Sequence, residues 1–247
     1  MCSVASNNKI KETIKLHQKK YRDSLGLFIA EGIKSIEEII SSGLQIQEIF
    51  IKNGYKYNFN KYTVYSVDEN IMKKLTTTDS PCEIMAVVKK PKTDINDVLN
   101  GKHIILLDSI SDPGNLGTII RSAAAFNIDA IILYGNCVEL YSPKVIRSAV
   151  GNLFKTPIIE IKNETELKEI FKDYTKIATA LSKENNISIK ECSKLNKYIV
   201  MFGSEAKGLS KELINISEKN IKLDMAKDVE SLNLSVTASI IMYELFS

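Results

Sequence analysis

From residue 102 onward the chain repeats one pattern: a short apolar run, a polar loop, then a segment with helical spacing. The runs are "HIILLD", "AIILY", "PIIEI", "KIATAL", "YIVMFG" and "NIKLDM". The second has no polar residue except its closing tyrosine, so such strands must be buried on both faces. Helical patterns start near Asn115, Ser142, Glu164 and Leu209, and "NLSVTASIIMYELF" supplies a last one. Strands and helices alternating in this way predict an α/β fold with a mostly parallel sheet, covered on both faces. Ligands of such sheets bind beyond the carboxyl ends of the strands, which singles out the loops after Leu107, Leu181, Phe202 and Leu223.

Residues 1–92 read as a smaller α/β unit. "NNKIKETIKLHQKKYR" has helical spacing, with Asn7 or Asn8 as candidate cap, and "IKSIEEIISSG" is a helix closing on Gly43. "LFIA", "IQEIFIKN", "KYTVYSV" and "IMAVVKK" read as strands, and Asp68 caps the helix "DENIMKKLTTT". Pro91, small polar residues and Gly101 mark a boundary, giving an N-terminal domain 1–92, a linker 93–101 and a second domain 102–247.

The net charge of +3 comes entirely from the first hundred residues, where 15 Lys and Arg face 12 Asp and Glu. Within "KIKETIKLHQKKYR" six cations accompany one acid. Such a segment fits a polyanion-binding module, or a solvated helix face. No apolar run reaches the roughly 18 residues of a membrane span, and "MCSVASNNKIKE" lacks the apolar core of a signal peptide. Cys2, Cys82, Cys137 and Cys192 form no C-x-x-C pair. The expectation is a cytoplasmic protein with reduced thiols and no metal.

Three loops carry unusual chemistry. In "DPGNLGTIIR", Asn115 stands at a helix start, Gly117 permits close backbone approach, and Arg121 follows on the same helix. A cap and a surface arginine would account for these residues equally well. "FGSEAKGLS" places Glu205 between Gly203 and Gly208, as a ligand-facing loop or as an ordinary glycine turn. In "ESLNLSVTASI", Ser231 and Asn233 precede an apolar helix, which by itself says only capping. Their joint location at one sheet edge strengthens the ligand reading. His17 and His103 lie outside these loops, so neither a Ser-His-Asp triad nor a histidine metal site is supported. G-x-G-x-x-G and a G-K-[ST] ending are both absent, which disfavours dinucleotide and triphosphate chemistry.

The order N-x-G-x-x-x-R (Asn115, Gly117, Arg121), "GSEAKGLS", "SLNLSVTASI" resembles the three motifs of the SpoU/TrmH RNA ribose methyltransferases of the SPOUT superfamily. "YSPKVIRSAVGNLFKTPI" and "KKYRDSLGLFIAEGIKSIEEII" are similar to that family as well, the latter to the substrate-binding domain of its ribosomal-RNA members. The resemblance implies a trefoil knot in the C-terminal domain, a homodimer, and S-adenosylmethionine as cofactor, held by Leu181, Gly203, Leu223 and Leu232. Asp224 stands where the family often has proline.

The implied reaction is methyl transfer to a ribose 2′-hydroxyl, of large-subunit ribosomal RNA first and transfer RNA second. A non-catalytic RNA-binding protein of the same fold is the alternative from another class. Arg121 would orient the hydroxyl and neutralise developing charge rather than act as a free base. Asn115 and Glu205 would position Arg121 and the ribose, while Ser231 and Asn233 shape the pocket. Lys19, Lys20, Arg22 and Arg147 are the expected RNA contacts. The aromatics of "NGYKYNFNKY" would stack unpaired bases or pack together as a hairpin.

Overall fold

The computed structural model describes residues 3–57, 59–78, 80–179, 185–192, 194–226 and 231–246. Two compact units result. The first joins residues up to Lys92 with Glu139–Phe154; the second joins Thr93–Val138 with the chain from Lys155 onward.

In the first unit β1 (Ser3–Val4) precedes α1 (Asn7–Lys15), whose cap is Ser6, its hydroxyl accepting the Lys9 N–H at 3.2 Å. Asn7 and Asn8 already lie inside that helix. The helical pattern continues in sequence to Arg22, yet the structure breaks it and starts α2 at Lys19–Leu25. Arg22 explains the break. Its buried guanidinium donates to the carbonyls of Leu16 at 2.7 Å and His17 at 2.8 Å, satisfying the end of α1 without a further turn.

Strands β2 (Leu27–Glu31), β3 (Ile46–Lys52), β4 (Val64–Val67) and β5 (Ile84–Lys89) complete a mixed sheet in the order β1-β4-β3-β5-β2. Helices α3 (Ile33–Ser41) and α4 (Glu69–Leu75) accompany it, and Asp68 caps α4 through the Ile71 N–H at 2.8 Å. Phe50, Met72, Leu75 and Met85 are core residues of this unit. Because β3 and β4 run parallel, the aromatic stretch between them is a crossover rather than a hairpin. It packs on itself: the Tyr57 ring lies 4.5 Å from Phe59 and 6.4 Å from Tyr55, and its hydroxyl donates to Glu37 at 2.5 Å.

After Lys92 the elements alternate as expected. They are α5 (Ile95–Leu99), β6 (His103–Asp108), α6 (Pro113–Ala125), β7 (Ala130–Tyr134), α7 (Pro143–Ala149), β8 (Ile158–Ile161), α8 (Glu164–Ile170), β9 (Thr175–Thr179), α9 (Ile189–Cys192), β10 (Tyr198–Phe202), α10 (Lys211–Ile216), β11 (Lys219–Ile221) and α11 (Leu234–Phe246). The strands of the second unit form a sheet in the order β11-β9-β10-β6-β7-β8, parallel throughout. Ile104, Leu106, Ile132, Ile199 and Met201 form its core with Leu167 and Leu213 from the helices and Phe171 just after α8.

Helix α7 groups with the first unit, which a linear division at residues 92 and 102 does not contain. The Phe28 ring stacks on Tyr141 at 5.1 Å and lies 5.9 Å from Phe154. Arg22 forms a two-pronged pair with Glu139, and Arg147 donates to Glu31 at 3.1 Å and to the Thr77 hydroxyl at 2.7 Å. No helix of the described residues is long and apolar enough to cross a membrane.

Candidate active site

The strand order sets the site. β6 lies beside β10, with Leu107 opposite Phe202; β7 and β8 follow on one side, β9 and β11 on the other. A sheet whose order reverses in this way opens a crevice at the carboxyl ends of the strands next to the reversal. The loops after β6 and β10 both emerge there.

α6 begins at Pro113, with Asp112 as its cap: the Asp112 carboxylate accepts the Asn115 N–H at 2.7 Å. The sequence pattern placed this start nearer Asn115. The shift matters, because the Asn115 carboxamide is then free of capping. It donates instead to Glu205 Oε1, and its own oxygen accepts the Asn233 amide at 3.1 Å. Asn233 Nδ2 also lies 3.3 Å from Glu205 Oε1. Its Oδ1 accepts the Ser235 N–H at 2.9 Å, so one carboxamide starts α11 and joins the cluster. Residues from all three chemically unusual loops therefore meet at one point.

Glu205 sits in a tight loop. Ser204 and Gly208 exchange backbone hydrogen bonds of 3.2 and 2.8 Å across it, and Gly208 has φ +65°. A Cβ on Gly203 would lie 2.0 Å from the Gly208 carbonyl carbon and 2.1 Å from the Leu209 nitrogen. Gly203 thus lacks a side chain because the loop's own backbone fills that space.

Beside this cluster lies a cavity of about 670 Å³, within the range of cofactor sites. Phe202, Leu209, Ile221 and Ile241 give it apolar wall. Gly203, Glu205, Leu223, Ser231, Leu232 and Asn233 line it too, while Leu181 lies outside the described residues. Lys207 and Lys222, not singled out from sequence, also line it. The cavity wall thus carries one carboxylate, held by two amides, and two ammonium groups.

Arg121 stands apart. It is exposed on α6, and no hydrogen bond or ion pair joins it to the described residues. Burial pushes the Cys137 thiol up, and its Sγ lies 3.3 Å from the carbonyls of Leu107 and Tyr134. Asp108, buried at 2% exposure where β6 ends, is a residue sequence reasoning passed over. An acid closing an otherwise apolar buried run was the available signal.

The residues expected on RNA separate into two pairs. Lys19 and Lys20 are exposed, with Lys20 Nζ 5.9 Å from the Tyr21 ring. Arg22 must be withdrawn from the set, since its guanidinium is buried against Glu139 and two carbonyls. Arg147 is engaged by Glu31 and Thr77, so its first task is to hold α7.

Residues 102–243, more than half of the chain, match the model of the SpoU rRNA Methylase family. The chain belongs to that family. Residues 7–86 match the MRM3-like substrate binding domain. The chain is 30% identical over 245 residues to the 23S rRNA (guanosine(2553)-2′-O)-methyltransferase RlmP of Bacillus subtilis (strain 168), across 98% of this chain and 97% of that relative. An AdoMet-bound rRNA methyltransferase from Sinorhizobium meliloti superposes with a TM-score of 0.87 at 25% identity, covering 99% of this chain and 97% of that one. A solved RNA 2′-O ribose methyltransferase gives a TM-score of 0.80 at 26% identity, covering 99% and 98%. The likeness to SpoU methylases thus extends through both units.

Proposed function

We propose that this chain is a homodimeric RNA methyltransferase acting on a ribose 2′-hydroxyl of large-subunit ribosomal RNA, with S-adenosylmethionine as cofactor. The observation that carries the reading is the meeting of Asn115, Glu205 and Asn233 beside the cavity at the sheet's reversal point. Chain-long similarity to a 23S rRNA 2′-O-methyltransferase supports the substrate class.

The cavity fits the cofactor. Its apolar walls suit an adenine ring, and Lys207 and Lys222 offer cations to a carboxylate. Gly203, Leu223 and Leu232 are the residues we assign to hold it, with Leu181 as a fourth from the sequence pattern. When bound, the cofactor supplies an electrophilic methyl group on a sulfonium sulfur.

The chain's own residues then orient the acceptor. The linked amides of Asn115 and Asn233 fix the Glu205 carboxylate, which in this reading holds the ribose, while Ser231 shapes the pocket. The Arg121 guanidinium brings its positive charge to the developing alkoxide or a neighbouring phosphate. Fixing reactants in this way can contribute about 7–11 kcal/mol without a strong base.

The surface of α11 supports the dimer. That helix is apolar around most of its circumference, and Val236 and Tyr243 remain 46% and 54% exposed. A second copy covering this face would bury them. The reading also includes a C-terminal trefoil knot, an RNA-binding role for residues 1–92 through Lys19 and Lys20, and a cytoplasmic setting.

Methyl transfer from labelled S-adenosylmethionine into ribosomal and transfer RNA, followed by nucleoside analysis, tests the proposal. Label in a 2′-O-methylnucleoside of large-subunit RNA is the expected result. Label in transfer RNA alone would overturn the substrate class, and none in either would overturn the enzyme.

A further inference from the structure

Asp108 has both carboxylate oxygens engaged, and each bond ends at the root of a different site loop. Oδ2 accepts the backbone N–H of Ser210 at 2.7 Å; Oδ1 accepts the Ser109 hydroxyl at 2.9 Å. Ser210 closes the loop that carries Glu205 and is followed directly by α10. Ser109 opens the turn that leads through Asp112 to Asn115, and it stands in the left-handed region at φ 55°.

The surroundings leave this pair little freedom. The Ser109 N–H donates to the Tyr134 carbonyl at 3.0 Å, and the Asn136 N–H reaches the Ser109 hydroxyl at 3.4 Å. A Cβ on Gly135 would lie 2.7 Å from the same hydroxyl oxygen. A charge-assisted bond to a backbone N–H is among the stronger hydrogen bonds in a protein. Without the carboxylate, the Ser210 N–H would lose its acceptor in a part-buried setting.

We infer that Asp108 is a positioning residue, fixing the loop roots so that Asn115 and Glu205 meet in register. It rests on the proposed function, since those two residues are read there as the site. Asp108 is bonded to neither of them and acts through the Ser210 backbone N–H and the Ser109 hydroxyl. A misplacement of about 1 Å in reacting geometry costs about a hundredfold in rate, so the effect belongs in turnover rather than RNA affinity.

Hydrogen exchange on the full chain, beside methyl-transfer kinetics, tests the inference. In Asp108→Ala, peptides covering residues 204–210 should exchange at least about tenfold faster, while those of β6 and β10 keep their protection. kcat should fall at least about tenfold with KM for RNA within about twofold. Asp108→Asn, which keeps an acceptor for the Ser210 N–H, should return both readouts to within about threefold of wild type. If Asp108→Ala does not fold, Asp108→Ser serves, because its hydroxyl cannot reach both partners. Unchanged exchange in the loop would overturn the inference, as would loosening spread equally over β6 and β10. Absence of methyl transfer in the wild type would instead remove the proposed function, and the exchange data would still decide what Asp108 holds.

Discussion

The carboxamide of Asn115 and the carboxylate of Glu205 are hydrogen-bonded across the gap between the loops after β6 and β10, although 90 residues separate them in the chain. The Asn233 amide reaches the same Glu205 oxygen at 3.3 Å, so one carboxylate oxygen accepts from two loops.

Glu205→Ala would leave the Asn115 amide without its acceptor and the Asn233 amide with Asn115 Oδ1 alone. The cluster is part-buried, and we expect a stability loss of about 1–2 kcal/mol in urea unfolding. Methyl transfer should fall by at least about a hundredfold, well beyond what that loss of stability explains. Glu205→Gln keeps one acceptor and should be milder on both counts. A variant with full activity would remove Glu205 from the site.

Arg121 gives the opposite signature. Since nothing among the described residues holds it, Arg121→Ala should change stability by less than about 0.5 kcal/mol. Transfer should be abolished while calorimetry still shows cofactor binding. A melting temperature lowered by several degrees in the monomer would show that the side chain has a structural partner after all.

Arg22 and its neighbours on α2 divide stability from binding. Arg22→Ala leaves Glu139, whose side chain is only 11% exposed, with only the longer pair to Lys90 at 3.7 Å, and unsatisfies the carbonyls of Leu16 and His17. Breaking such a pair costs about 3–5 kcal/mol. The double change Lys19→Ala, Lys20→Ala should leave the melting temperature unaltered yet weaken RNA binding and flatten its salt dependence. Equal RNA affinity in that variant would reduce the basic helix to a solvated face.

These contrasts show which features the sequence made legible. The parallel sheet was, because strands such as β7 are apolar at nearly every position and allow no solvent face. The meeting of the three unusual loops was too, since their residue types are odd for turns and their strands end on one edge. What stayed hidden depends on tertiary partners. Arg22 looked like one more cation in a basic run until the carbonyls it reaches were in place. The grouping of Glu139–Phe154 with the first unit depends on Phe28 meeting Tyr141, more than a hundred residues away. A fragment starting at residue 101 would therefore lose the partners of Glu139, Tyr141 and Arg147, so truncation is a poor test of RNA binding.

Gly203→Ala tests the closure of the Glu205 loop. The new methyl group would have to displace the Gly208–Leu209 backbone from about 2 Å away, since backbone cannot rotate aside as a side chain can. We expect a loss of about 1–3 kcal/mol in stability together with weakened cofactor binding by calorimetry. Unimpaired binding would mean the loop can reopen without harm to the cavity.

The last expectation concerns alkaline pH. Cys192, fully buried at the end of α9, has its thiol pushed up by burial from an ordinary 9.0 to about 11. Below pH 9 the thiol is protonated in folded and unfolded chains alike, and stability is level. Between 9 and about 11 the unfolded chain releases a proton that the folded chain keeps, so stability falls as pH rises. The full effect corresponds to about 2–3 kcal/mol. Tyr198, also raised by burial, acts in the same direction from pH 10 upward. Cys192→Ala removes only the thiol's share. Its deficit against wild type, set by lost packing at pH 8, should therefore shrink as urea unfolding is repeated toward pH 11. A deficit that stays constant across that range would show the thiol titrating alike in both states.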